Sequence, residues 1–67
     1  MKTKQLAQIL NVDVRRLARQ KFKKELDIVG VVVNDLDGGD YHITVTFETS
    51  EVLHLDYDCH GHLISET

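Results

Sequence analysis

Apolar side chains at Leu6, Ile9, Leu10, Val14, Leu17, Ala18, Phe22 and Leu26 recur every three or four positions. That spacing lines one face of a helix. Two readings fit it: one helix from about Thr3 to Leu26, or two helices parted by a tight turn at Asn11-Val12-Asp13. The turn is preferred, because Asn tolerates the left-handed conformation that ends a helix and Asp caps the next one. After Leu26 the pattern changes. Ile28-Val29-Gly30-Val31-Val32-Val33 is rich in β-branched residues and predicts a strand. Asp35 to Asp40, with Gly38 and Gly39, predicts a loop. Tyr41 to Glu48 alternates apolar and polar residues almost strictly, as a strand does when one face is buried and the other wet. Val52 to Asp58 and His62 to Glu66 complete the set of expected strands.

The alternation also implies a register, because a slip of one residue would turn every side chain to the wrong face. A three-residue loop at 49–51 pairs Phe47 with Leu53, Val45 with Leu55 and Ile43 with Tyr57. A second at 59–61 pairs Tyr57 with Leu63, with Gly61 where such hairpins need a left-handed residue. Together with Val29, Val31, Val33 and Tyr41, these residues make one continuous apolar face. The only amphipathic cover for it is the N-terminal segment. The expected fold is therefore α+β: an N-terminal helix or helix-turn-helix packed on one face of a three- to four-stranded antiparallel β-meander. It is a single domain over residues 1–67, with a basic helical segment at 1–26 and an acidic meander at 27–67.

Composition narrows the function. A chain of 67 residues is close to the lower limit for folding on one core. Its single cysteine permits no intramolecular disulfide, which suits a reducing, cytoplasmic setting. No apolar run approaches the ~20 residues that span a bilayer, and no signal-like core follows the N-terminal lysines, so no membrane partner is expected. Charge is split sharply. All eight Lys and Arg lie within 1–26, where Asp13 and Glu25 leave that segment at +6, while nine carboxylates and no cation give the rest −9. Such a split points to an interaction surface more than to a catalytic centre.

Thr3 to Phe22, and most closely Thr3 to Arg19, resembles the helix-turn-helix of bacterial and phage regulators. Ala7 stands where that motif takes a small residue, Asn11 where it usually has the turn glycine, and Val12 and Leu17 at its buried positions. The resemblance implies that Val14, Arg15, Arg16 and Arg19 face DNA, the second helix lying in the major groove. Arg15 or Arg16 would read a guanine edge, and Lys2, Lys4, Lys21 and Lys23 would meet phosphates. The last forty residues are similar in pattern to PepSY-type modules and gas-vesicle accessory proteins. These too set a helix before a meander whose final turn reads Asp-x-x-Gly-x-Leu, here Asp58 to Leu63. That likeness implies a binding or inhibitory module without catalysis.

Other groupings carry less. In the expected register His42 lies opposite Asp58 and Asp58 opposite His62, with Thr44 facing Asp56 and Thr46 facing His54. A His-Asp-His trio suits a zinc-type ion, but cross-strand His–Asp pairs are ordinary contacts on a sheet surface. Asp56 to Gly61 begins like a calcium loop, yet Thr67 stands where the bidentate glutamate belongs. Cys59 and His60 are neighbours on a turn and point apart, so no nucleophile is expected there. Gly38-Gly39 precedes no helix and is no phosphate cradle. No metal, cofactor or catalytic residue is assigned. The expectation is a small non-enzymatic nucleic-acid-binding regulator of phage or mobile-element type, using Arg15, Arg16, Arg19 and Lys23. The alternative is a protein-binding or inhibitory module acting through Glu48, Glu51, Asp56 and Asp58 or through an edge strand, which would also serve a homodimer.

Overall fold

The computed structural model describes residues 2–67. One N-terminal helix packs against a four-stranded antiparallel sheet, so the α+β architecture expected from the hydrophobic pattern is the one formed. The strands are β1 (Ile28–Asp35), β2 (Tyr41–Phe47), β3 (Val52–Tyr57) and β4 (Leu63–Glu66), in the order β1-β2-β3-β4. Met1, the first residue of the expected helical segment, lies outside the described residues.

The core follows from period-two and helical spacing meeting face to face. Ile43, Val45 and Phe47 of β2 and Leu53, Leu55 and Tyr57 of β3 are buried, and so are Ile9, Val14, Leu17 and Ala18 of the helix. Leu6, Leu10, Phe22, Leu26, Ile28, Val31, Val33, Tyr41 and Leu63 are half-buried around them. Phe22 meets Phe47 edge to face, with ring centroids 5.8 Å apart. Each fully buried Val, Leu, Ile or Phe side chain stabilises the fold by roughly 1.5–3 kcal/mol.

The preferred turn at Asn11–Asp13 does not form. Residues 3–22 are helical throughout: α-helical over Thr3–Gln8 and Arg15–Phe22, and π-helical over Ile9–Val14. A π stretch widens the helix and changes the phase of its faces. Here it keeps both Ile9 and Val14 on the core side, five positions apart, and turns Val12 outward at 55% exposure. Val12 is thus not at a buried position, whereas Leu17 is. The helix also stops at Phe22 and not at Leu26. Lys23 adopts a left-handed conformation (φ 62°), and its N–H bonds the Arg19 carbonyl at 3.0 Å.

Two corrections concern the sheet. Gly30 and not Val29 pairs with Thr46, while Ile28 pairs with Phe47, so Val29 sits in a bulge. It points outward at 65% exposure, and Ile28 takes the inner place expected for Val29. The β2–β3 loop begins one residue earlier than expected, spanning 48–50. The Phe47 N–H bonds the Glu51 carbonyl at 2.9 Å and Ser50 takes the left-handed position at φ 72°. Partners therefore slide by two residues: Ile43 opposes Leu55, Val45 opposes Leu53 and Thr44 opposes His54. A slip of two leaves every residue on its expected face. In the β3–β4 hairpin Tyr57 opposes Leu63 as expected, with Gly61 at φ 85°, but the register then shifts by one residue, so that Asp56 opposes Ser65 and Leu55 opposes Glu66. A Cβ on Gly61 would run into the Gln5 side chain, so this turn also abuts the start of the helix.

Asp13 finds its role in the core. The buried Tyr57 hydroxyl donates to Asp13 Oδ2 at 3.0 Å and ties the π-helical stretch to β3. Burial first, and then the Asp13 carboxylate, push the Tyr57 phenol above its ordinary value. A raised folded value means stability that is complete below the ordinary phenol range near 10 and is lost as pH rises beyond it. Tyr57→Phe should cost about 1.5–3 kcal/mol at neutral pH, as expected for a hydrogen bond to a charged group. Urea melts at neutral and alkaline pH should show wild type losing stability above pH ~10 and the variant losing less.

Candidate interaction surfaces

The helix has a buried side and a basic side. Arg15, Arg16 and Arg19 are exposed, while Val14 before them and Leu17 and Ala18 between them are buried. Arg16 Nη2 lies 3.9 Å from Asp13 Oδ1, and Arg19 Nε lies 3.5 Å from Glu25 Oε1. Both guanidinium side chains remain 58% exposed, so these are surface pairs of small energetic weight. Among the described residues Arg15 and Lys23 form no ion pair. Lys23 is exposed at the residue that ends the helix. Lys21 sits over the Phe22 ring, 5.7 Å from its centroid.

Arg15 and Arg19 lean toward the start of β1. With Ala18, Leu26 and Ile28 they line a groove of about 370 Å³, whose remaining wall is Glu25 and Asp27. Its apolar floor is small and its charges are mixed. Beyond the groove runs β1, which pairs with β2 on one side and, among the described residues, with no strand on the other.

The four carboxylates expected to form an acidic binding face are not brought together. Glu48 is exposed in the β2–β3 turn. Glu51 receives Lys24 Nζ at 3.4 Å and the Thr49 hydroxyl at 3.1 Å. Asp56 lies in the middle of the outer sheet face, and Asp58 lies at the opposite end from Glu48. Asp58 organises its own turn: its Oδ1 accepts the His60 N–H at 2.9 Å and the His62 N–H at 2.8 Å. Those backbone donors, His62 foremost, hold its carboxyl below the usual range. The Asp-x-x-Gly pattern is thus explained by turn chemistry.

The expected His42, Asp58, His62 trio is split. His62 Nδ1 stays near Asp58 Oδ2 at 3.3 Å, but the two-residue slip takes His42 to Asp56. His42 Nδ1 meets Asp56 Oδ1 at 2.6 Å, and His42 Nε2 meets His54 Nδ1 at 3.2 Å with the two rings stacked. Thr44 Oγ1 lies 3.4 Å from His54 Nδ1, and the Ser65 hydroxyl donates to Asp56 Oδ2 at 2.8 Å. This relay across three strands lies on the sheet's uncovered face. Alternation places His42, Thr44, His54 and Asp56 there, whereas Ser65 reaches that face through a one-residue shift in the β3–β4 pairing, since strict alternation from the inward Leu63 would turn it in. Among the described residues, no three His, Cys, Asp or Glu side chains form a group that could hold a metal ion. Cys59 is exposed in the β3–β4 turn.

No helix among the described residues is long and apolar enough to cross a membrane. No protein-family model matches the chain, and neither does a curated protein or a solved structure.

The His42 hydrogen bond, followed by that of Ser65, holds the Asp56 carboxyl below its usual range. A depressed folded value contributes stability above the ordinary carboxylate value near 3.9, lost as pH falls through the lower folded one. Asp56→Asn should therefore flatten the acid limb of the stability profile. Thermal melts from neutral pH down to strongly acidic pH check this; parallel wild-type and variant limbs would leave Asp56 without that role.

Proposed function

We propose that this protein is a small non-enzymatic nucleic-acid-binding regulator of phage or mobile-element type. In this reading it works in a cytoplasmic setting and meets phosphates with the basic side of its helix. One observation carries the proposal. Arg15, Arg16 and Arg19 stand exposed on a helix whose packing is done entirely by other residues. Burial explains why the helix is apolar on one side; it does not explain three guanidinium groups on the other. Long-range attraction concentrates a polyanion at such a face. The helix is unbroken across Asn11–Asp13, so it would lie against the phosphate backbone as one rod. The helix-turn-helix resemblance bears on this reading through its basic residues, not through a turn. A protein-binding role through an edge strand has its own support in the open side of β1.

Three phosphate contacts on duplex DNA imply a slope of log affinity against log salt of roughly −3, at about −0.9 per contact. Fluorescence anisotropy with a labelled duplex over a salt series should show it. Arg15/Arg16/Arg19→Ala should abolish the binding while leaving circular dichroism unchanged, since alanine favours helix. Absence of wild-type binding at low salt, or binding by the triple variant with an unchanged slope, refutes the proposal.

A further inference from the structure

The two edges of the sheet are treated differently. β4 is only four residues long and its pairing with β3 is interrupted between Asp56 and Tyr57, both of which discourage further pairing. β1 is eight residues long, and beyond its bulge at Val29 the run Gly30-Val31-Val32-Val33-Asn34 carries neither charge nor proline. Three exposed large apolar side chains belong to this strand or its exit: Val29, Val32 and Leu36.

The phase of the ladder shows what the edge offers. The Leu36 N–H bonds the Asp40 carbonyl at 2.8 Å, so alternation along an antiparallel pair directs the backbone groups of Asn34 and Val32 toward β2. Those of Val31, Val33 and Asp35 point away from the sheet.

We infer that β1 pairs antiparallel with β1 of a second copy, about a two-fold axis at Val32. In that register Val31 exchanges hydrogen bonds with the copy's Val33 and the reverse, and Val32 packs against Val32. A two-fold normal to the sheet is isologous and joins the two four-stranded sheets edge to edge. Charge selects a second copy as the occupant. Residues 15–27, which lead into β1, carry six cations against two carboxylates, Glu25 and Asp27, and among the described residues Arg15 and Lys23 have no ion pair in their own chain. Asp35, Asp37 and Asp40 lie at the end where it leaves. Antiparallel pairing sets the basic end of each copy beside the acidic end of the other, twice. It also places both helices on the same face of the joined sheet. The pairing does not rest on the nucleic-acid reading, and no nucleic acid enters its test.

Sedimentation velocity over a concentration series should show wild type approaching twice the monomer mass. Val32→Lys, at a side chain 57% exposed on the outer face, should remain monomeric with an unchanged melting temperature. Val32→Cys in a Cys59→Ser background should oxidise to a disulfide-linked dimer, because residues opposed in a non-hydrogen-bonded pair have Cα atoms about 4.5 Å apart. Val29→Cys, equally exposed but off the axis, should not link to itself. Wild type that stays monomeric at the concentrations used for NMR overturns the inference. So does a dimer indifferent to Val32→Lys, or one that links through position 29 as readily as through 32. If Val32→Lys fails to fold, the comparison of the two cysteine variants decides.

Discussion

One helix must cover the whole apolar face of a four-stranded sheet, and the remaining features follow from how it does so. Sheet and helix pack about 10 Å apart, and a single helix about 10 Å wide lies over the central strands only. Within the sheet, full burial is accordingly confined to β2 and β3, from Ile43 to Phe47 and Leu53 to Tyr57, while inward residues of β1 and β4 are half-buried. The π-helical stretch extends the reach of this cover by keeping Ile9 and Val14 both on the core and aiming Asp13 at Tyr57. The same economy leaves the sheet edges without protection from the helix. A short interrupted strand closes one of them; β1 has no such device beyond its bulge.

The second face of the sheet has no cover, and its composition answers that. His42, Thr44, His54, Asp56 and Ser65 satisfy one another across β2, β3 and β4. Their mutual bonds make the face wettable without leaving isolated charge. The molecule is thus layered electrically as well as sterically, with a basic helix over an acidic sheet. The layers attract over a distance comparable to the Debye length of ~8–10 Å, which aids docking of the helix in dilute salt. That attraction needs net opposite charge but no particular position for Arg15, Arg16 or Arg19.

What was legible in the sequence divides along a physical line. The alternation from Tyr41 to Phe47 disclosed a strand and its buried face, and Gly61 disclosed the β3–β4 turn and the Tyr57–Leu63 pair beside it, though not the one-residue shift that follows. The errors fall where a residue other than glycine does what glycine usually marks. Ser50 at φ 72° moved the β2–β3 loop by one residue, and Lys23 at φ 62° ended the helix before Leu26. A left-handed conformation costs such a residue of order 1–2 kcal/mol, which tertiary packing can impose without a local signal. The bulge at Val29 and the π stretch are likewise insertions into a regular period. Sequence periodicity cannot register them, because each changes the phase only locally.

The consequences of those errors differ in kind, and that difference governs what can be argued about function. A slip of two residues preserves the face of every side chain but replaces every cross-strand partner. The His42–Asp58–His62 constellation depended on partners, and it dissolved into two separate pairs. The basic side of the helix depended on face alone, and it survived even the replacement of a turn by π-helix. Metal or acid–base chemistry needs atoms placed to a few tenths of an ångström. Recognition of a polyanion, or of a second strand by an open edge, needs a face and a direction. This small domain supplies the latter in two places, the arginine side of the helix and the outward half of the β1 ladder.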